Sequence, residues 1–202
     1  MKTLKNKLII GITGGMGSGK TEVCRKLADA GFKVLYSDLI AKELYHKNKN
    51  LAVEMVKEFG KGILNYKGLI NLAKLREEIF KNDANYNKIN KIVHPVVIDY
   101  IKRQISRSKE KMIIVESAVL FESGLDKEMS YVILVYANKK NRIQRIMERD
   151  GAKKADVERI MKYQDDDKTK IEKCDFVLVN NKDIEHLGEQ ADFLIKVLNA
   201  LK

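Results

Sequence analysis

The chain has one proline, no tryptophan and only two cysteines in 202 residues. Cys24 and Cys174 are too few for a disulfide framework or a four-cysteine zinc site. They read as small buried hydrophobes in a reducing compartment. A single proline with twelve glycines argues against a loop-rich or repeat-built extracellular module. No apolar run approaches the roughly 18 residues that a membrane span needs. Lysines do precede Leu8-Ile9-Ile10, but that stretch is about half a signal-peptide core and runs straight into glycines. The expected place is therefore the cytoplasm, with no membrane partner.

Acidic residues are in deficit, 28 against 39 Lys and Arg, for a net charge of +11. Such a surplus favours polyanionic partners such as nucleotides, phosphorylated substrates or nucleic acid. Thirty-one of the basic residues are lysine, however, and asparagine is also frequent. A balance of that kind arises as background composition, so charge alone assigns no nucleic-acid partner. With 45% hydrophobic and 33% charged residues, the composition is that of an ordinary globular chain, long enough for one large domain.

Five short β-branched runs recur: Leu8 to Thr13, Lys33 to Tyr36, Met112 to Val115, Tyr131 to Tyr136 and Phe176 to Val179. Each is too short for a helix and lacks clean polar alternation, which suits strands buried on both faces. Helical patterns lie between them. Val23, Leu27 and Ala30 form one face, and Leu75, Ile79 and Phe80 another. Ile89, Ile92, Val93, Val96, Val97, Tyr100, Ile101 and Ile105 make a long stripe, and a closing helix carries Ile184, Leu187, Ala191, Leu194, Ile195 and Leu198. Strands alternating with helices imply an α/β fold, a five-stranded parallel sheet with right-handed crossovers. The gap between the second and third runs holds several helices, far more than one crossover needs. It reads as a helical, substrate-binding insertion. Pro95 falls within the longest stripe and is expected to kink that helix or divide it; His94 beside it is either a structural residue at the kink or a catalytic one.

The sharpest signal is Gly14-Gly15-Met16-Gly17-Ser18-Gly19-Lys20-Thr21. It satisfies G-x-x-x-x-G-K-[ST] between a strand and a helix. Glycines let the backbone curl so that successive amides point at an anion, and the following helix adds its positive end. Lys20 reaches the β- and γ-phosphates, and the Thr21 hydroxyl can ligate Mg²⁺. A nucleoside triphosphate is expected here. No Asn/Thr-Lys-x-Asp base-reading motif of a switch GTPase follows. The third strand ends in Glu116, which keeps a water-activating ATPase in view, but the length suits a small phosphotransferase better.

Four of eight arginines, Arg142, Arg145, Arg149 and Arg159, fall within 18 residues. In a lysine-dominated chain this points to planar, forked contact with phosphate oxygens or a nucleobase. Arg142, Arg145 and Arg149 share a helical face. They form either a lid that closes over the triphosphate and excludes water, or a solvated helix paired with Glu148 and Asp150. Asp38 directly follows the second strand, at the carboxyl edge where ligands bind in parallel sheets. From position alone it serves equally as a base for an acceptor hydroxyl or as N-cap of a helix beginning at Leu39.

Taken in order, these residues resemble the dephospho-CoA kinase family, a P-loop kinase fold of the nucleoside-monophosphate-kinase-like type. Ile12 to Lys20 resembles its phosphate loop, and Ser37-Asp38-Leu39-Ile40-Ala41 its Asp-x-Asp-Ile-Ile-Ala segment. Gly68-Leu69-Ile70-Asn71 with Leu75-Arg76-Glu77 and Ile79-Phe80, then His94-Pro95 and Val119-Leu120-Phe121-Glu122, are similar to further family stretches. Arg145, Arg149-Asp150 and Gln164 follow the family's lid pattern, and Asp175 with Asn180 its final strand. The departures are Tyr36 for the first aspartate, Leu72 for the arginine after Asn71, and Ser117-Ala118 where proline is common.

The resemblance implies ATP-dependent, Mg²⁺-assisted phosphorylation of the ribose 3′-hydroxyl of dephospho-CoA; the alternative is another small-molecule kinase acting on a nucleoside or nucleotide. It implies Asp38 as base, Lys20 and Thr21 on phosphates and metal, Arg145 and Arg149 as lid arginines, and Asn180 beside the nucleotide. It further implies substrate contacts at Asp38, Asn71 and His94, a CoA-binding insertion over about residues 40–110 and a lid over about 138–170. Dephospho-CoA and ATP are the partners implied, with no nucleic acid, and monomer or small homo-oligomer stays open.

Overall fold

The computed structural model describes residues 7–164 and 166–201, the side chain of Ile184 excepted. The five apolar runs become strands β1 (Leu8–Thr13), β2 (Lys33–Tyr36), β3 (Met112–Glu116), β4 (Tyr131–Tyr136) and β5 (Phe176–Val179). All pair in parallel, in the order β2-β3-β1-β4-β5. The chain leaves β1 for the far edge, returns to fill in β3, then crosses to β4 and β5. That reversal makes the carboxyl end of β1 a topological switch point, the place where open parallel sheets bind ligands. Ile12 lies in register with Glu116, so the end of β3 stands beside the exit of β1.

Helices α1 (Lys20–Asp29) and α9 (Ile184–Ala200) bury one face of the sheet. Val23, Cys24 and Leu27 of α1 and Leu187, Ala191, Leu194 and Leu198 of α9 join Ile10, Ile12, Ile114, Ile133 and Val135 in one core. Ile184, assigned by the pattern to that stripe, has its side chain outside the described residues. Burial separates the two cysteines. Cys24 is enclosed, whereas Cys174 is only half-buried, against expectation, because it closes a helix at the sheet edge.

Strand β5 also departs from expectation. Phe176, Val177 and Val179 are exposed, since β5 is an edge strand with a neighbour on one side only. Its open rim is capped in part by Gln190, whose Oε1 accepts from Val179 N at 2.8 Å and whose Nε2 donates to Val179 O at 2.9 Å. A side-chain amide there takes the place of another strand and blunts edge pairing.

The chain forms two compact units, one carrying the sheet (up to Tyr36 and from Ile105 onward) and the other Ser37–Gln104. The second unit begins earlier and ends earlier than the 40–110 read from sequence. It holds α2 (Ser37–Lys47), α3 (Lys49–Phe59), α4 (Leu72–Ile79) and most of α5 (Asp83–Arg107). Asn48 caps α3 and Asn71 caps α4 through side-chain oxygens. A tight turn closed by the Leu64–Ile70 bridge precedes α4.

Pro95 does not divide its helix: α5 runs unbroken for 25 residues. Pro95 lies on the exposed side while Val93, Val97, Ile101 and Ile105 are buried. The carbonyl that loses its donor can turn to water there, and the buried stripe outweighs the roughly 3 kcal/mol a helix-interior proline costs. Among the described residues no helix is long and apolar enough to cross a membrane.

Candidate functional site

The glycine-rich segment leaves β1 at Thr13 and enters α1 at Lys20. Three of its glycines hold conformations that side chains resist, Gly14 at φ 152°, Gly17 at φ 80° and Gly19, the N-cap of α1, at φ 100°. Between them Ser18 N donates to Gly15 O at 3.1 Å, closing the curl. Among the described residues the N–H groups of Gly17 and Gly19 meet no protein acceptor. The buried hydroxyls of Thr13 and Ser18 likewise have no hydrogen-bond partner. Buried hydroxyls without partners are costly in a folded chain, and beside them the amides of the partly exposed Gly17 and Gly19 are open to an anion.

Lys20 turns back over the curl, with Nζ 3.4 Å from Gly15 O and 3.9 Å from Glu116 Oε1. Both ions are nearly enclosed, Lys20 at 7% and Glu116 at 4% exposure. Burying such a pair contributes little to stability; it presents a cation already stripped of water at the mouth of the loop. The field reaches Cys24, whose thiol is pushed well above its usual range by burial, then by the Glu116 carboxylate, against the opposing effect of Lys20. Burial likewise raises the Tyr36 phenol, so Tyr36 stays neutral at the edge of β2.

The region expected as a lid comprises α6 (Lys139–Asp150), α7 (Lys154–Met161) and α8 (Asp167–Lys173). Its small apolar core, Ile143, Ile146, Val157 and Met161, packs against Met16 of the loop. The arginines of α6 separate in role. Arg142 is buried, pairs with Asp167 at 3.1 Å and lays its guanidinium where a Gly15 side chain would begin. Arg145 donates to Asn180 O and Oδ1, both at 3.2 Å, and to Lys182 O at 3.1 Å. Arg149 is exposed and doubly bonded to its neighbour Asp150 at 2.7 and 2.8 Å.

The structure thus gathers Gly14 to Thr21, Arg145 and Asn180. Asn180 Nδ2 donates to Ser18 O at 2.8 Å, tying the end of β5 to the loop. Thr21 is exposed on the first turn of α1, where its hydroxyl is free to face solvent. In the second unit Asp38 is exposed in the first turn of α2, inside the helix and not at its cap. Asn71 spends its side-chain oxygen on the N–H groups of Ala73 and Lys74, and His94 is half-buried midway along α5.

Sequence reasoning gave Gln164 only a place in the lid pattern and gave Lys170 no role. Gln164 accepts from Met16 N at 2.9 Å and donates to Ala118 O at 3.3 Å. Lys170 is fully buried, 3.1 Å from Glu122. Nothing in the sequence distinguishes Lys170 from the other lysines, because its burial depends on how α8 docks. Arg142 did carry a signal, the arginine enrichment.

Comparison with known proteins agrees with this geometry. The family model for dephospho-CoA kinases matches residues 8–186. The dephospho-CoA kinase of Fusobacterium nucleatum is 38% identical over 185 residues, spanning 92% of this chain and 95% of that protein. Among solved structures, a protein from Thermus thermophilus superposes with TM-score 0.80 at 27% identity, covering 98% of this chain and 99% of its own. The dephospho-CoA kinase from Campylobacter jejuni does so with TM-score 0.68 at 25% identity, covering 94% and 96%. A phosphate loop at the switch point of a five-stranded parallel sheet, matched along nearly its whole length by these relatives, places the fold among the P-loop kinases, and the chain belongs to the dephospho-CoA kinase family.

Proposed function

We propose that the protein transfers the γ-phosphoryl group of ATP to the ribose 3′-hydroxyl of dephospho-CoA, giving coenzyme A and ADP. The single observation that carries this reading is the phosphate loop with its partnerless amides and dehydrated Lys20, in a chain of this family. A net charge of +11 suits two polyanionic substrates without calling on nucleic acid.

Phosphoryl transfer has a loose, highly charged transition state, so the protein mainly positions and neutralises. Loop amides and the amino end of α1 hold the phosphate tail. Lys20 meets the β- and γ-oxygens, and Arg145, with Arg149 from the end of α6, adds cationic charge. The ribose oxygen bonds to the γ-phosphorus as the bond to the β–γ bridging oxygen breaks. The hydroxyl proton passes to the carboxylate of Asp38, exposed in the first turn of α2 and able to receive it. Asn71 and His94 belong to the CoA-binding unit on this reading.

The donor set also fits Mg²⁺. Among the described residues no three His, Cys, Asp or Glu side chains cluster as ligands, and Mg²⁺ is commonly held by one or two protein oxygens, phosphates and water. Thr21 would supply such an oxygen. Such an ion, held on the protein side by the Thr21 hydroxyl, would supply neutralisation of phosphate charge.

The test is ATP turnover against a panel of acceptors: dephospho-CoA, nucleosides and nucleotides. Turnover with dephospho-CoA should exceed all others by orders of magnitude. Faster turnover with a nucleoside or nucleotide would move the assignment to another small-molecule kinase.

A further inference from the structure

We propose that Gln164 is a positioning residue for the triphosphate, acting through the tilt of a single peptide plane in the phosphate loop. This rests on the reading of that loop as the nucleotide site. Gln164 follows α7 and joins two other segments: its Oε1 accepts from Met16 N at 2.9 Å, and its Nε2 donates to Ala118 O at 3.3 Å, just beyond β3. With an N–H on one side and a carbonyl on the other, only one orientation of the amide satisfies both.

The Met16 N–H and the Gly15 carbonyl belong to the same planar peptide group. That carbonyl takes the Ser18 N–H at 3.1 Å and lies 3.4 Å from Lys20 Nζ. Fixing Met16 N–H from outside the curl therefore fixes the acceptor that closes the curl and parks the lysine. It also turns this one amide away from the anion, leaving those of Gly17 and Gly19 to face it. Gln164 gains its own rigidity from Ala118, whose carbonyl also lies 3.5 Å from the buried Lys170. Few side chains can do this. A carboxylate accepts but cannot donate to Ala118, a lysine donates but cannot accept, and a leucine does neither.

The experiment measures binding of a non-hydrolysable ATP analogue by calorimetry, the KM for dephospho-CoA, and the melting temperature, for wild type, Gln164→Leu and Gln164→Glu. Leaving a part-buried amide without its acceptor should weaken analogue binding about ten-fold in Gln164→Leu. The KM for dephospho-CoA should stay within about two-fold, since the side chain acts only through the loop. Gln164→Glu retains one bond of the two and adds a negative charge, and should weaken the analogue by about five-fold or more; it also serves if the leucine variant does not fold. Wild-type analogue affinity in either variant would overturn the proposal. So would equal weakening toward both substrates together with a lowered melting temperature, which marks general loss of structure. Analogue binding needs no acceptor, so a failure of dephospho-CoA as substrate would leave this test readable.

Discussion

Replacing Gly15 by alanine separates two reasons for a glycine in the phosphate loop. Gly15 is not among the glycines with positive φ, so its backbone accommodates an alanine. Space is the obstacle: the new Cβ would lie 1.4 Å from Arg142 Nη1 and 2.6 Å from its Cζ. The guanidinium must move, and it is held by Asp167 at 3.1 Å with side-chain exposures of 9% and 28%. Removing one partner of a fully buried pair costs about 3–5 kcal/mol. Solvent reaches Asp167, so a discounted cost of about 1–3 kcal/mol applies, similar to that of overpacking a core. In an Arg142→Ala background the obstacle is gone, and adding Gly15→Ala should then cost under about 0.5 kcal/mol, a coupling of roughly 1–2 kcal/mol. Urea unfolding of the four proteins with a common m-value reads this directly. Gly14→Ala is the control, because its Cβ meets the main-chain oxygen of Val135 at 2.3 Å and its φ is 152°, and no side-chain deletion at 142 should rescue it. Additive costs for Gly15→Ala and Arg142→Ala would refute the steric account.

Lys20→Ala should lower kcat by orders of magnitude and weaken ATP binding, whereas Asp38→Asn should lower kcat with ATP binding kept; steady-state kinetics separates them, and a near-normal kcat for Asp38→Asn would remove the base assignment. Lys170→Met removes the fully buried ammonium that faces Glu122 at 3.1 Å and should cost about 3 kcal/mol, roughly 6–12 °C in Tm by calorimetry. The Cys24 thiol is raised in the folded protein, so it stays neutral while an unfolded thiol ionises near its ordinary value of 9.0. Its contribution to stability is therefore full below that pH and lost as pH rises past it, and a thiol reagent at pH 8 should spare Cys24 until the protein unfolds. Asp166 and Asp183, held below the usual carboxylate value of 3.8 by N–H groups of the helices they cap, work in the opposite sense: their stabilisation is present above that value and fades as pH falls through the lowered one, which amide exchange at the starts of α8 and α9 would follow.

Much of the molecule was legible in one dimension. The strand runs, the amphipathic faces of α1 and α9 and the phosphate loop depend on periodicity and on local backbone chemistry, which neighbours along the chain dictate. Even the extra helices between β2 and β3 could be read, since one crossover needs fewer residues. What failed locally failed for tertiary reasons. Pro95 is carried by a helix whose other side is buried, β5 is exposed because no strand lies beyond it, and Cys174 is open because its helix ends at that edge.

The division at the site follows the same line. That residues 14–21 form an anion-binding curl is decided within the segment, because glycine conformations and a helix start are local properties. Which of the three arginines of α6 lies against Gly15, which glutamine holds Met16 N–H and which lysine is enclosed beside Glu122 are not decided there. Those partners stand 127, 148 and 48 residues away along the chain (142 − 15, 164 − 16 and 170 − 122). Sequence fixes what a side chain can do; only the packing of α6 and α8 on the loop and on β3's exit selects the one that does it, because desolvation and hydrogen-bond geometry exist only once distant segments meet.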